Sequence, residues 1–261
     1  MKTRQRISVI ALVIALFLTS GCSGPIGRSA TPGDPAELHV AAASDLRFAF
    51  EELGARFEEE HGVKVIFQFG SSGNLAQQIA GGAPLDLFAS ANRHFVDELV
   101  ASGDILEDTV ALYAIGRIVL AVNRSSGLSV SGLEDLLRDE IDVIALANPD
   151  HAPYGLAGRQ ALETAGIWDT IRDKLVYGEN VSQAMQFVQT GNAPLGIIAL
   201  SIANVDELDY ILIDDSLHQP LEQQLGVVSH SNNKELAQTF GQFVNSPDGR
   251  IVMESYGFII P

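Results

Sequence analysis

Cysteine is almost missing from this 261-residue chain, which carries only Cys22. Without a second thiol no intrachain disulfide can form, so packing has to hold the fold together. Basic residues are scarce too, with 16 Lys and Arg against 33 Asp and Glu and a net charge of −17. That balance argues against nucleic acid and anionic lipid surfaces as partners. It leaves room for a buried anion, because converging amide and hydroxyl dipoles act at short range. Motifs for catalysis are absent as well. Around Ser72 no nucleophile elbow exists, since Asn74 stands where its second glycine would be, and there is no phosphate loop. The histidines at 39, 61, 94, 151, 218 and 230 show no zinc-ligand spacing, and no two of the five tyrosines (113, 154, 177, 210, 256) are adjacent as a ferric site would want. An enzyme and a resident cofactor are therefore not expected.

What is present begins with Lys2, Arg4 and Arg6, then an apolar and small run over residues 7–18, too short for a spanning helix and laid out as a secretory signal. Leu18-Thr19-Ser20-Gly21-Cys22 follows, which suits signal removal and lipidation at Cys22, although an ordinary signal peptide with an incidental cysteine has the same start. Residues 1–21 are thus expected to be a signal peptide, and 22–36, rich in Gly, Ser, Pro, Ala and Thr, a flexible linker from a lipid anchor. Without its three basic residues the exported chain keeps 13 Lys and Arg against 33 acids. An extracytoplasmic location follows, with membrane contact through the anchor only.

Beyond residue 37 the chain alternates short apolar runs with helical stripes. Leu38-His39-Val40-Ala41-Ala42 precedes a stripe of Leu46, Phe50, Leu53 and Phe57, and residues 63–69 precede a helix opening near Asn74. Such alternation predicts an α/β fold with mostly parallel sheets flanked by helices. Two sheets suit the length better than one: lobe I from 37–116 and 227–261, and lobe II, inserted, from 117–226. The Glu58-Glu59-Glu60 run reads as a solvated helix face.

In open α/β sheets, ligands bind outside the carboxyl ends of strands. Four strand-to-helix turns qualify, around Ser44, Ser71 and Ser72, Tyr154-Gly155, and Val181. Each offers unpaired N–H groups at the positive end of a helix dipole, and the serines add hydroxyls. Ser44 is equally suited to a plain N-cap, and Gly70-Ser71-Ser72-Gly73 to a plain loop. His151, beside one turn, fits a loop or structural role.

Six blocks carry a resemblance: Ala41-Ala42-Ala43-Ser44, residues 69–76, residues 82–91, residues 148–155, Ala193-Pro194-Leu195-Gly196-Ile197 and Tyr256-Gly257-Phe258. In this order they resemble the molybdate-binding component of bacterial molybdate ABC transporters. The resemblance implies a type II periplasmic-binding fold, two lobes joined by crossing strands with the anion between them. It implies capture of molybdate, and of tungstate, by a monomer that delivers it to an ABC permease. The implied contacts are Ser44 and Ser72 through hydroxyl and N–H, and the N–H groups of Tyr154 and Val181, with Ser71 as an addition. Molybdenum would be held only as its oxyanion. Where some members place a tyrosine hydroxyl this chain has Ala199, and Tyr154 is the expected substitute donor. Asp45 is expected to face solvent or the helix dipole. Sulfate, phosphate, thiosulfate or a ferric ion as cargo, and a hydrolase built on Ser72, remain the alternatives.

Overall fold

The computed structural model describes residues 36–261. The signal segment, Cys22 and nearly all of the linker lie outside the described residues. Strand β1 (Glu37–Ala43) leads through a 3-10 turn (Ser44–Leu46) into α1 (Arg47–His61), β2 (Lys64–Gly70) into α2 (Ser72–Ala80), and β3 (Leu87–Ser90) into α3 (Arg93–Ser102). After β4 (Ala111–Gly116) only Arg117 intervenes before β5 (Ile118–Asn123). Then come β6 (Ile144–Ala147), α4 (Pro153–Thr164), the short α5 (Trp168–Ile171), β7 (Leu175–Gly178), α6 (Val181–Gln189), β8 (Leu195–Ala199) and β9 (Leu208–Leu212). The chain closes with β10 (Leu221–Val227), α7 (Lys234–Val244) and α8 (Pro247–Ser255).

The strands form two five-stranded sheets, ordered β2-β1-β3-β10-β4 and β7-β6-β8-β5-β9. Both are mixed rather than mostly parallel: β1 pairs parallel with β2 and β3, and β6 with β7 and β8, whereas β10 and β5 run antiparallel to both of their neighbours. All strands of the second sheet fall between β4 and β10, so it is an insertion in the first. Leu221, not residue 227, begins the return, because the whole of β10 pairs in the first sheet. Both crossings leave from adjacent strands, β4 and β10, where Gly116 opposes Leu221.

Local chemistry explains the elements that carry the site. The α1 stripe buries Phe50, Leu53 and Phe57, and the helix ends where Gly62 takes φ 65° and its N–H returns to Glu58 O. Phe240 of α7 closes on the same cluster, edge-on to Phe57 at 5.1 Å and to Phe50 at 6.0 Å between ring centroids. Such offset and edge-on contacts add to the area these rings bury. In the acidic run Glu59 and Glu60 are exposed, but Glu58 accepts the Val65 N–H at 2.7 Å and fastens α1 to β2.

Candidate functional site

The crevice lies outside the carboxyl ends of β1, β2, β6 and β7, each feeding a turn and a helical first turn. Residues from all four turns line one space: Ser44 and Asp45, Ser71 and Ser72, Tyr154, and Val181, together with Ala43, Gly70, Ala91, Ala152 and Pro153. Pockets for drug-sized ligands run to roughly 300–1,000 Å³, whereas the room free for a water-sized sphere here is about 10 Å³, so such ligands are excluded and even a small ion requires the walls to part. Ala199 is not part of it. It ends β8, fully buried, opposite Ile118.

The donors are poised for an anion. Ser44 does not cap its own 3-10 turn: Ala43 holds the cap position there, and no side chain bonds at it. In the second turn the cap is Ser71, whose Oγ accepts the Asn74 N–H at 3.4 Å. Ser72 Oγ, fully buried, accepts the Ala91 N–H at 3.0 Å, which leaves its own proton to donate elsewhere. Ser72 and Val181 open α2 and α6, and Tyr154 is the second residue of α4. Their N–H groups have no acceptor within the helix and stand at its positive end. Among the described residues no Lys or Arg lines the space.

Bonds between the two lobes hold the crevice shut. From α6, Ser182 donates its N–H to Ser44 Oγ at 3.4 Å and its hydroxyl to Ser44 O at 2.9 Å. Ser201 Oγ donates to Asp45 O at 2.8 Å. Gly73 N–H donates to His151 O at 3.0 Å, and His151 Nδ1 lies 2.9 Å from Ser71 Oγ. A Cβ on Gly73 would stand 2.8 Å from that His151 carbonyl, so glycine permits this approach.

Asp45 departs from its expected place. It is 1% exposed, lines the space, and belongs to a buried polar network. Gln223 Nε2 on β10 donates to Asp45 Oδ2 at 2.7 Å and to the Tyr154 hydroxyl at 3.0 Å, while the Tyr113 hydroxyl on β4 donates to Gln223 Oε1 at 2.9 Å. Asp45 Oδ1 is buried without a partner. Burial pushes the carboxyl up to about 6, against the opposing pull of hydrogen bonds from Gln223 and Tyr154. Burial likewise raises both phenols well above their ordinary range, with the Asp45 charge adding to the effect. Tyr154 therefore spends its hydroxyl on this network and is not a free substitute for the donor missing at Ala199. A Cβ at Gly116 would overlap that hydroxyl, so the β4 hinge end must be glycine. The sequence singled out neither Gln223 nor Tyr113 as part of the site.

Residues 38–259 match the family model of bacterial extracellular solute-binding proteins. The chain belongs to that family. It is 32% identical over 255 residues, 95% of this chain and 96% of the relative, to a candidate ABC transporter substrate-binding lipoprotein, YvgL, of Bacillus subtilis (strain 168). It is 30% identical over 253 residues, 94% of this chain and 97% of the relative, to the molybdate-binding protein ModA of Escherichia coli (strain K12). Among solved structures, the periplasmic molybdate-binding protein of Azotobacter vinelandii superposes with a TM-score of 0.81 at 29% identity, over 86% of this chain and 99% of that one. The family and the superposition bear out the two-lobe α/β fold.

The Asp45 environment predicts how stability depends on pH. Its folded value, about 6, is above the ordinary 3.8, so ionising it opposes folding. That cost begins as pH rises past 3.8 and is complete above 6, reaching about 3 kcal/mol. Asp45→Asn should accordingly stabilise the ligand-free protein relative to the parent, by a margin that widens from pH 4 to pH 6 and then levels off. Urea unfolding of both proteins across that range checks it.

Proposed function

We propose that this chain captures molybdate in the crevice and delivers it to an ABC permease. The observation that carries the reading is a small crevice whose wall offers hydroxyls and helix N-terminal amides and, Asp45 apart, no charged side chain. A fully deprotonated tetrahedral dianion takes donors only, and this wall supplies them. The names of the Escherichia coli and Azotobacter vinelandii relatives point to the same cargo. Tungstate, alike in shape and charge, meets the same donors. The proposed contacts to oxo oxygens are Ser44 and Ser72 through hydroxyl and N–H, and the N–H groups of Tyr154 and Val181, with Ser71 beside them.

No catalysis is part of the proposal. A hydrolase would need an imidazole on Ser72, and His151 instead lies on Ser71. Glu179 stands 3.7 Å from the other ring nitrogen, but its side chain is 72% exposed, and the Ser71 hydroxyl already caps α2. That trio makes a clasp between lobes. The protein works as an extracytoplasmic monomer tethered through Cys22, in keeping with the lipoprotein in the name of the Bacillus subtilis relative. No helix among the described residues is long and apolar enough to cross a membrane.

Two outcomes follow. Hydrogen bonds to a charged partner contribute about 1.5 to 3 kcal/mol, so Ser44→Ala and Ser72→Ala should each weaken molybdate binding about tenfold to a hundredfold in calorimetric titration. Ser44→Ala should leave apo stability nearly unchanged, because its own turn uses no side-chain cap and its hydroxyl accepts only the long 3.4 Å bond from Ser182. Ser72→Ala should also destabilise by about 1 to 3 kcal/mol, since it orphans the buried Ala91 N–H. Intact affinity in Ser44→Ala would remove it from the site. In cells lacking the permease, Cys22→Ala should move the protein from the membrane fraction to the soluble one; retention would refute the tether.

A further inference from the structure

The site presents a contradiction that donors alone do not resolve. A dianion is to be buried among dipoles, yet one wall of the same space is a carboxylate with an unpartnered oxygen. Two like-signed charges this close, with no lysine or arginine lining the space, repel strongly where the local dielectric is low. Gln223 does not relieve this, because it is neutral and already donates to Asp45 Oδ2 at 2.7 Å. Oδ1 is without a partner, and the hydrogen bonds from Gln223 and Tyr154 do not offset the burial of the carboxyl.

We infer that the cleft takes up its dianion together with one proton, held on the Asp45 carboxyl, which changes from a repelling acceptor into a further donor to the ligand. The proton comes from solvent: the carboxylate gains it when the ion enters and returns it when the ion leaves, and no other bond is made or broken. The inference rests on the molybdate reading and deepens it, by making a proton the second component bound.

Surrounding groups are consistent with Asp45 being the one that titrates. Tyr154 on α4 and Tyr113 on β4 stay protonated throughout the useful range, since burial raises both. Gln223 on β10 and Ser201 beyond β8 do not titrate. Arg47, two residues along, is turned to Glu51 and the Phe69 ring. His151 touches the crevice through Ser71, not through Asp45. The unliganded carboxyl titrates near 6, and an adjacent dianion raises it further, so at neutral pH binding itself draws the proton in.

The same chemistry sets specificity. An ion that carries its own proton, such as hydrogen phosphate, can donate to ionised Asp45 and needs no uptake, whereas a bare dianion needs the carboxyl neutral. Raising pH should thus penalise bare dianions selectively.

The test is calorimetric titration of the purified exported chain with sodium molybdate between pH 6.5 and 8.5, in two buffers of different ionisation enthalpy that contain no oxyanion. The parent should take up close to one proton per ion, with affinity falling toward tenfold per pH unit. Asp45→Asn, whose amide donates at every pH, should show neither uptake nor slope, while His151→Gln should keep both. A carbonyl band of a protonated carboxyl should appear in the parent's infrared difference spectrum on adding molybdate. Molybdate binding without proton uptake, or uptake that survives in Asp45→Asn, overturns the inference and leaves the cargo assignment standing. No molybdate heat at any pH overturns both.

Discussion

On the proposed reading a dianion has to be buried here without a cation to meet it, and much of the cleft follows from that constraint. In a chain with a net charge of −17, long-range attraction works against capture. Short-range donors must replace water's hydrogen bonds nearly one for one, because a buried charge left unsatisfied costs several kcal/mol. Helix first turns are suited to this: α2, α4 and α6 bring amides that have no acceptor of their own. Ser44 and Ser72 accept one N–H each and keep their hydroxyl protons to donate.

Donors of this kind are useful only if both lobes deliver them together, and the topology arranges it. Two of the contributing turns belong to the first sheet and two to the second, and the chain crosses between the sheets at the ends of β4 and β10. Gln223 on β10 reaches Asp45 and Tyr154 in the wall, and Tyr113 on β4 donates to Gln223 behind it. Any rotation at the crossing must therefore disturb the hydrogen bonds that set the charge of Asp45. In the proposed uptake, ion entry and protonation of Asp45 would be tied through this buried network, with the Ser182–Ser44 and His151–Ser71 contacts spanning the same crevice.

Much of this was legible in the sequence, for reasons that also explain what was not. The strand-turn-helix syntax around Ser44, Ser72 and Val181 is local, and three of the turns follow strands whose apolar runs stand out: β1, β2 and β6. Strands β4 and β9 gave no comparable signal. Both are sheet edges, and in β9 Tyr210 and Leu212 face solvent, so the pattern lacks a clean apolar side. The place of Asp45 was misread because a carboxylate early in a helix ordinarily faces the dipole, and its actual partner, Gln223, is 178 residues away. The role of Tyr154 was half legible: its backbone position follows from the turn, while the destination of its hydroxyl depends on Gly116 and Gln223.

The most direct measurement is a crystal structure of the exported chain grown with molybdate, with molybdenum located by its anomalous scattering. The ion should sit in the crevice with oxo oxygens about 2.6 to 3.2 Å from Ser44 Oγ, Ser72 Oγ and the amide nitrogens of Tyr154 and Val181. One oxo oxygen should lie within hydrogen-bonding distance of the Asp45 carboxyl. An anomalous peak elsewhere, or an Asp45 oxygen bonded to molybdenum itself, would contradict a site built on donors to a bare tetrahedral dianion.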